Sequence, residues 1–243
     1  MYICAAGDCH GQINRLYKNI LEFEHQLNIS FSWVLQVGDF GIRPDPSRID
    51  GATKKHEGAG DFPFWWEHRC CPPIKTVFIK GNHEDFEWLD SRPSEILHGL
   101  YYLPNREFMV LDNEINVAGF GGCYGPSDYL KNSYDLHRRR KRHYTKADLD
   151  HLLCSSTKTD VDVLLLHDTP IRLMAKGALT NSVGLRELVI GVRPRVCFFG
   201  HMHQMVDEEL DGVRCIGLNK VGCLGNLVAM EITREKLKIL ETL

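Results

Sequence analysis

The chain has 243 residues, with 29 Lys+Arg against 32 Asp+Glu and a formal charge of −3. Hydrophobic residues are 43% and charged residues 25% of the chain, the balance of an ordinary folded domain. This excludes a disordered, collagen-like or coiled-coil chain and a protein that coats nucleic acid through bulk positive charge.

Tyr2–Ala6 is an apolar run ending in Gly7-Asp8. No apolar stretch approaches the roughly 18–20 residues of a membrane helix, and the opening segment has an acid and no basic leader. The nine cysteines include no Cys-x-x-Cys pair. A cytoplasmic protein with reduced thiols is expected. After the first run, the spacing of Ile13, Leu16, Tyr17, Ile20 and Leu27 predicts an amphipathic helix. Trp33–Val37 is a second run, ending in Gly38-Asp39. The stretch 43–61 is rich in Gly, Pro and charge and reads as a loop. Thr76–Ile79 ends in Gly81-Asn82-His83-Glu84, and strand then follows strand between 107 and 119. The stretch 119–144 is irregular and closes on a basic run. Predicted helices over 146–153 and 184–190 alternate with Val161–Leu166, which ends in His167-Asp168, and with Val196–Phe199, which ends in Gly200-His201-Met202-His203. Between 204 and 240 strands follow strands again. The alternation predicts an α/β fold over residues 1–243, read as one domain with a second sheet or antiparallel additions.

All five runs stop at residues of ligand type. In open α/β sheets the loops beyond the carboxyl ends of the strands build the site, so Asp8, His10, Asp39, Asn82, His83, His167, His201 and His203 are expected in one cleft. Their oxygen and imidazole donors suit two divalent ions of the Mn, Fe, Zn or Ni kind. Asp8/His10 and His201/His203 are spaced i, i+2, which on an extended segment points both side chains the same way. A single Gly-Asp is ordinarily a turn signal, and a lone buried His a hydrogen-bonded core residue. Five such endings in order, each after a predicted strand, favour the metal reading.

Gly7-Asp8-Cys9-His10-Gly11, Gly38-Asp39-Phe40-Gly41, Gly81-Asn82-His83-Glu84, His167 and Gly200-His201-Met202-His203 together resemble the motif series of calcineurin-like metallophosphoesterases, over residues 7–203. The resemblance implies a four-layer αββα sandwich with two mixed sheets and a dinuclear metal site. It places Asp8, His10 and His203 on one ion, Asn82, His167 and His201 on the other, and Asp39 between both. His83 stays off the metals as the acid that protonates the leaving oxygen. Two divalent ions opposed by two carboxylates and a hydroxide retain a net charge of about +1, which attracts phosphate.

The second motif lacks the Gly-Asp-x-x-Asp-Arg-Gly pattern of the protein Ser/Thr phosphatases of this superfamily. His10-Gly11-Gln12-Ile13-Asn14-Arg15-Leu16-Tyr17, Gly38-Asp39-Phe40 with Arg43, Tyr101-Tyr102-Leu103 ahead of Gly121-Gly122, and Tyr129-Leu130-Lys131 are instead similar to the RNA lariat debranching branch. Many members of that branch show Cys where this chain has Asp8.

The run His137–His143 packs five permanent cations into an acidic chain. It reads in two ways: Arg138, Arg139 and Arg140 touch a substrate phosphate backbone beside the cleft, with Arg43 as a further contact, or the run is a solvated face with arginines paired to carboxylates. Trp65 and Trp66 fit a core or lid role better than base stacking, and Cys9 reads as packing. The expected activity is hydrolysis of a phosphodiester in a nucleic acid or nucleotide by a hydroxide activated at two metals. The alternatives are a phosphomonoesterase for a small molecule or phosphoprotein, and a dead scaffold of the same fold, disfavoured by the intact ligand set. No membrane association and no obligate protein partner are expected.

Overall fold

In the computed structural model, which describes residues 1–49, 51, 53–56, 58–175, 178–180 and 182–243, the apolar runs form strands of two facing sheets. In chain order the strands are β1 (Tyr2–Ala6), β2 (Trp33–Gln36), β3 (Thr76–Phe78), β4 (Glu95–Leu97), β5 (Leu100–Tyr102), β6 (Phe108–Leu111), β7 (Ile115–Phe120) and β8 (Val163–Leu166). They continue with β9 (Met174–Ala175), β10 (Ala178–Leu179), β11 (Val196–Phe199), β12 (Val206–Leu210), β13 (Val213–Gly217), β14 (Leu227–Ile232) and β15 (Leu237–Thr242). The helices are α1 (Ile13–Leu27), α2 (Phe62–Glu67), α3 (Phe86–Asp90), α4 (Lys146–Ser156) and α5 (Leu185–Val192).

One sheet has the order β15-β14-β1-β2-β3-β5-β4 and the other β12-β13-β11-β8-β7-β6, while β9 and β10 pair antiparallel in a separate two-stranded sheet. Both sheets are mixed. Parallel strands β1, β2, β3 and β5 centre the first, and β7, β8, β11 and β13 the second, with antiparallel strands at the edges. The predicted run 161–166 loses its first two residues from β8 because the Asp162 carboxylate is engaged by the Asn116 N–H and the Arg195 guanidinium.

Alternation along each strand builds four layers. Val163 and Leu165 of β8 face the inter-sheet core with Ile3, Leu35, Val77 and Phe198. Leu164 and Leu166 face the opposite way, onto Leu149 and Leu152 of α4 and Leu185 and Leu188 of α5. The other outer layer packs Ile13, Leu16, Tyr17, Ile20 and Phe23 of α1 against Cys4, Ala6 and Val34. Each fully buried Leu or Val stabilises by about 1.5–3 kcal/mol relative to exposure. α4 opens on a capping box, in which Thr145 accepts from the Asp148 N–H and Asp148 accepts from the Thr145 N–H. Among the described residues no helix is long and apolar enough to cross a membrane.

Candidate metal centre

β1, β2 and β3 of one sheet and β8 and β11 of the other end at a common edge, and the loops that follow them bring the ligand-type residues together. Asp8, His10 and His203 form one group and Asp39, His167 and His201 a second, each with its donor atoms within 4.8 Å of one another. In the first, His203 Nε2 is 2.9 Å from His10 Nε2 and 3.0 Å from Asp8 Oδ2. In the second, His167 Nε2 is 3.6 Å from Asp39 Oδ2 and 2.9 Å from Asn82 Oδ1. Donors held about 2.0–2.2 Å from one tetrahedral ion lie about 3.4 Å apart, so these spacings match a coordination shell.

Asp39 joins the groups. Its Oδ1 accepts the Asn82 and His83 N–H groups, both at 2.7 Å. Its Oδ2 lies 3.8 Å from His10 Nδ1 and 3.6 Å from His167 Nε2. His167 Nδ1 donates to the Val37 carbonyl at 2.9 Å, so in the neutral ring Nε2 carries a lone pair. In that tautomer the lone pair faces the Asn82 carbonyl oxygen, another acceptor. His10 Nδ1 is buried with no hydrogen-bond partner. The residues therefore fit two cations.

The backbone stores strain to achieve this. His10, Asp39, His201 and His203 have φ of 49°, 53°, 65° and 51°, in the left-handed region that costs non-glycine residues energy and clusters at functional sites. Hydrogen bonds between loops hold it: the Cys9 and His10 N–H groups donate to the Asp39 carbonyl, and Gly11 N–H to that of Phe40. The motif glycines make room. A Cβ on Gly81 would lie 2.0 Å from Asp39 Oδ1, and one on Gly200 2.2 Å from Asp8 Oδ1.

Electrostatics leave the donors ready to bind. Burial, then the charge of Asp8, pushes the Asp39 carboxyl up to about 6. Burial also opposes ionisation of Asp8, but the His203 hydrogen bond and the surrounding imidazoles hold it below the usual carboxylate range. His10 is pushed down to about 3, and His201 down as well, chiefly by burial, so both rings offer lone pairs. Glu84, pushed up to about 7 by burial and then by Asp39, accepts the N–H groups of Phe40, Gly41 and Ile42 and braces the β2 loop. Three buried acids close together create a demand for positive charge.

Seven expected ligands thus meet, with the His83 ring 5.4 Å from that of His10. The i, i+2 argument needs correction. Residues 8–10 and 201–203 are loop, not extended strand, and His201 and His203 belong to different groups. Arg43 is buried, and its guanidinium is turned onto the carbonyls of His83, Glu84 and Arg48, so it shapes the third motif from behind. The segment Arg138–Arg142 is a 3-10 turn. Arg140 is paired with Asp128 and Lys141 with Asp90. Arg138 and Arg139 are exposed and line a cavity of about 220 Å³ that Arg43, Arg48, Glu84, Asp85, Phe86 and Glu87 also line, with Arg48 paired to Asp85 and Glu87. Trp65 is buried, stacked on Tyr17, and donates to Asn14. Trp66 lies under the guanidinium groups of Arg69 and Arg92 and edge-on to Trp88. Cys9 donates to the Phe40 carbonyl, and burial pushes its thiol well up, as expected of a packing residue.

The sequence reading missed Thr53 and His56. The loop 43–61, whose positions 50, 52 and 57 lie outside the described residues, brings Thr53 Oγ1 within 3.1 Å of His83 Nδ1 and stacks His56 on His10 with ring centroids 4.3 Å apart. Among the described residues no strand ends directly ahead of either residue, so the signal that marked the expected ligands was absent.

The lariat debranching enzyme of Schizosaccharomyces pombe is 28% identical over 232 residues, covering 84% of this chain and 48% of that protein. That of Entamoeba histolytica is 24% identical, covering 91% and 69%. The chain spans about half the length of most of the curated relatives it matches. Among solved structures, TT1561 of Thermus thermophilus superposes with a TM-score of 0.63 at 14% identity, covering 98% of this chain and 97% of that one. A putative 5'-nucleotidase from Staphylococcus aureus gives 0.58 at 15% identity, covering 99% and 53%. These likenesses show the fold. The model of the calcineurin-like phosphoesterase family matches residues 1–205, and the chain belongs to that family.

Proposed function

We propose that this chain is a metal-dependent phosphodiesterase acting on RNA or another nucleic acid or nucleotide, with a debranching-like activity. The observation that carries the reading is the pair of buried donor groups sharing Asp39 at one sheet edge, with His83 beside them. Asp8, His10 and His203 would hold one divalent ion, Asn82, His167 and His201 the other, and Asp39 both. The donors suit Mn, Fe, Zn or Ni. When bound, the ions supply Lewis acidity and a nucleophilic water. His83 gives a proton to the leaving oxygen as the P–O bond breaks. Arg138 and Arg139 attract the flanking phosphates. The names of the lariat debranching relatives support a branched RNA substrate, and nine free cysteines fit a reducing compartment such as the cytoplasm.

The test is a panel of 2′,5′-branched RNA, linear RNA, DNA, cyclic nucleotides and a phosphopeptide, run with metal-stripped protein reloaded with Mn²⁺ or the other ions. Activity should return with metal and favour the branched diester. Faster turnover of p-nitrophenyl phosphate than of bis-p-nitrophenyl phosphate would instead support a phosphomonoesterase. A fully loaded protein without turnover would support the scaffold.

A further inference from the structure

The loop between β2 and α2 reaches the acid side of the site through one buried hydroxyl. Thr53 is 3% exposed and opens the 3-10 turn Thr53–Lys55. Its carbonyl accepts the N–H groups of His56 and Gly58 at 2.9 and 3.3 Å, which fixes the turn. Its Oγ1 is 3.1 Å from His83 Nδ1. The backbone N–H of His83 is meanwhile held by Asp39 Oδ1. His83 is thus fixed at its main chain from one side and at its ring from the other.

We propose that Thr53 is a positioning residue for His83. Its hydroxyl oxygen accepts the Nδ1 proton, which sets the rotation of the ring and leaves Nε2 as the nitrogen that serves the leaving group. In the step itself, the oxygen of water adds to phosphorus, one proton of that water passes to solvent, and the bond to the leaving oxygen breaks. The electron pair stays on that oxygen, which takes the Nε2 proton. The ring keeps Nδ1–H on Thr53 before and after, so no proton needs to move on the Thr53 side. A short polar side chain in a loop does here what a base-orienting partner does in other acid–base sites.

This inference rests on the reading of His83 as the general acid, and the experiment separates the two. Thr53→Val, Thr53→Ser, His83→Ala and the double variant are loaded with metal, their metal content is measured, and each is assayed on an alkyl ester and a p-nitrophenyl ester of the same phosphodiester. His83→Ala should lose activity mainly on the alkyl ester, whose alkoxide leaves poorly without a proton; equal loss on both esters would overturn the acid reading itself. Given that selectivity, Thr53→Val should lower kcat on the alkyl ester about 10-fold, and on the p-nitrophenyl ester less than about twofold, because general acid catalysis contributes roughly 10²–10⁴-fold and only part of it depends on ring orientation. Thr53→Ser should restore the wild-type ratio. On the His83→Ala background Thr53→Val should add no further loss. Equal loss on both esters in Thr53→Val, failure of Ser to restore the ratio, or an additive loss in the double variant would overturn the proposal. If Thr53→Val melts below the assay temperature, Thr53→Ala against Thr53→Ser decides by the same ratio.

Discussion

Around Asp39 the donor atoms of the candidate centre are buried and tied to main chain: Oδ1 to two amides, His167 to the Val37 carbonyl, Asp8 to the His201 N–H. In the segment Arg138–Arg142 the first three cations are exposed and Lys141 and Arg142 partly buried, and part of the charge is consumed internally by Asp128 and Asp90. The first region is preorganised, which electrostatic catalysis requires, because a site that must rearrange loses the advantage of fixed charges. The second is an exposed counter-charge stapled at its carboxyl half. The staple is itself a small hub: buried Asp128 takes Arg140, His143 and Lys131 together. The difference teaches that a basic run divides into structural and available cations according to where its carboxylates lie.

The comparison breaks most severely at Asp39. Asp39→Asn keeps an acceptor for the two amides but gives the ions a neutral side chain. Bound metal and turnover should fall together, activity by roughly 100-fold or more, as elemental analysis and ester hydrolysis would show. Two full equivalents of metal in Asp39→Asn would contradict the shared-ligand role. Gly200→Ala places a methyl 2.2 Å from Asp8 Oδ1 and should cost about 10–100-fold in metal affinity without removing any ligand; titration of the apo-protein with Mn²⁺ measures it.

In the second region, Asp128→Asn should lower the melting temperature by roughly 3–6 °C through loss of a buried multi-partner charge. The Arg140 hydrogen bond, with help from His143 and Lys131, holds the Asp128 carboxyl below the usual carboxylate range. The folded value thus lies below the unfolded value of about 3.9, and the stabilisation is complete above that pH and lost as pH falls toward the folded value. The gap between wild type and Asp128→Asn should be flat from about pH 5 to 8 and close below about pH 4. The smallest effect sharpens the division within the run. Arg138→Gln with Arg139→Gln should raise KM for an oligonucleotide a few-fold and flatten its log–log salt dependence by about one unit per lost phosphate contact. Arg140→Gln should act on melting temperature instead. An unchanged salt slope in the double variant would remove the nucleic-acid role from this segment.

The residues proposed as metal ligands were legible because each follows an apolar run, and strand ends of parallel sheets converge by topology. The two-sheet layering was legible from the resemblance, and in part from the strand-after-strand stretches near 107–119 and 204–240. What local pattern could not show was pairing across long sequence separations. Asp128 claims Arg140, Arg43 reaches back to the carbonyls of the third motif, and Thr53 meets His83 thirty positions away. The i, i+2 argument assumed extended backbone, whereas His10, His201 and His203 adopt left-handed φ; Asp8 and His10 still share a group, but His201 and His203 do not. No periodicity announces a turn of that kind.

The divided duty of Asp39 gives the centre a built-in gauge. One oxygen pulls on the amides of Asn82 and His83 while the other faces both donor groups. An ion held at either group would draw charge from the same carboxylate and weaken its hold on those two amides. Their proton resonances should therefore move on loading, and the loop that carries His83 should register occupancy before any substrate arrives.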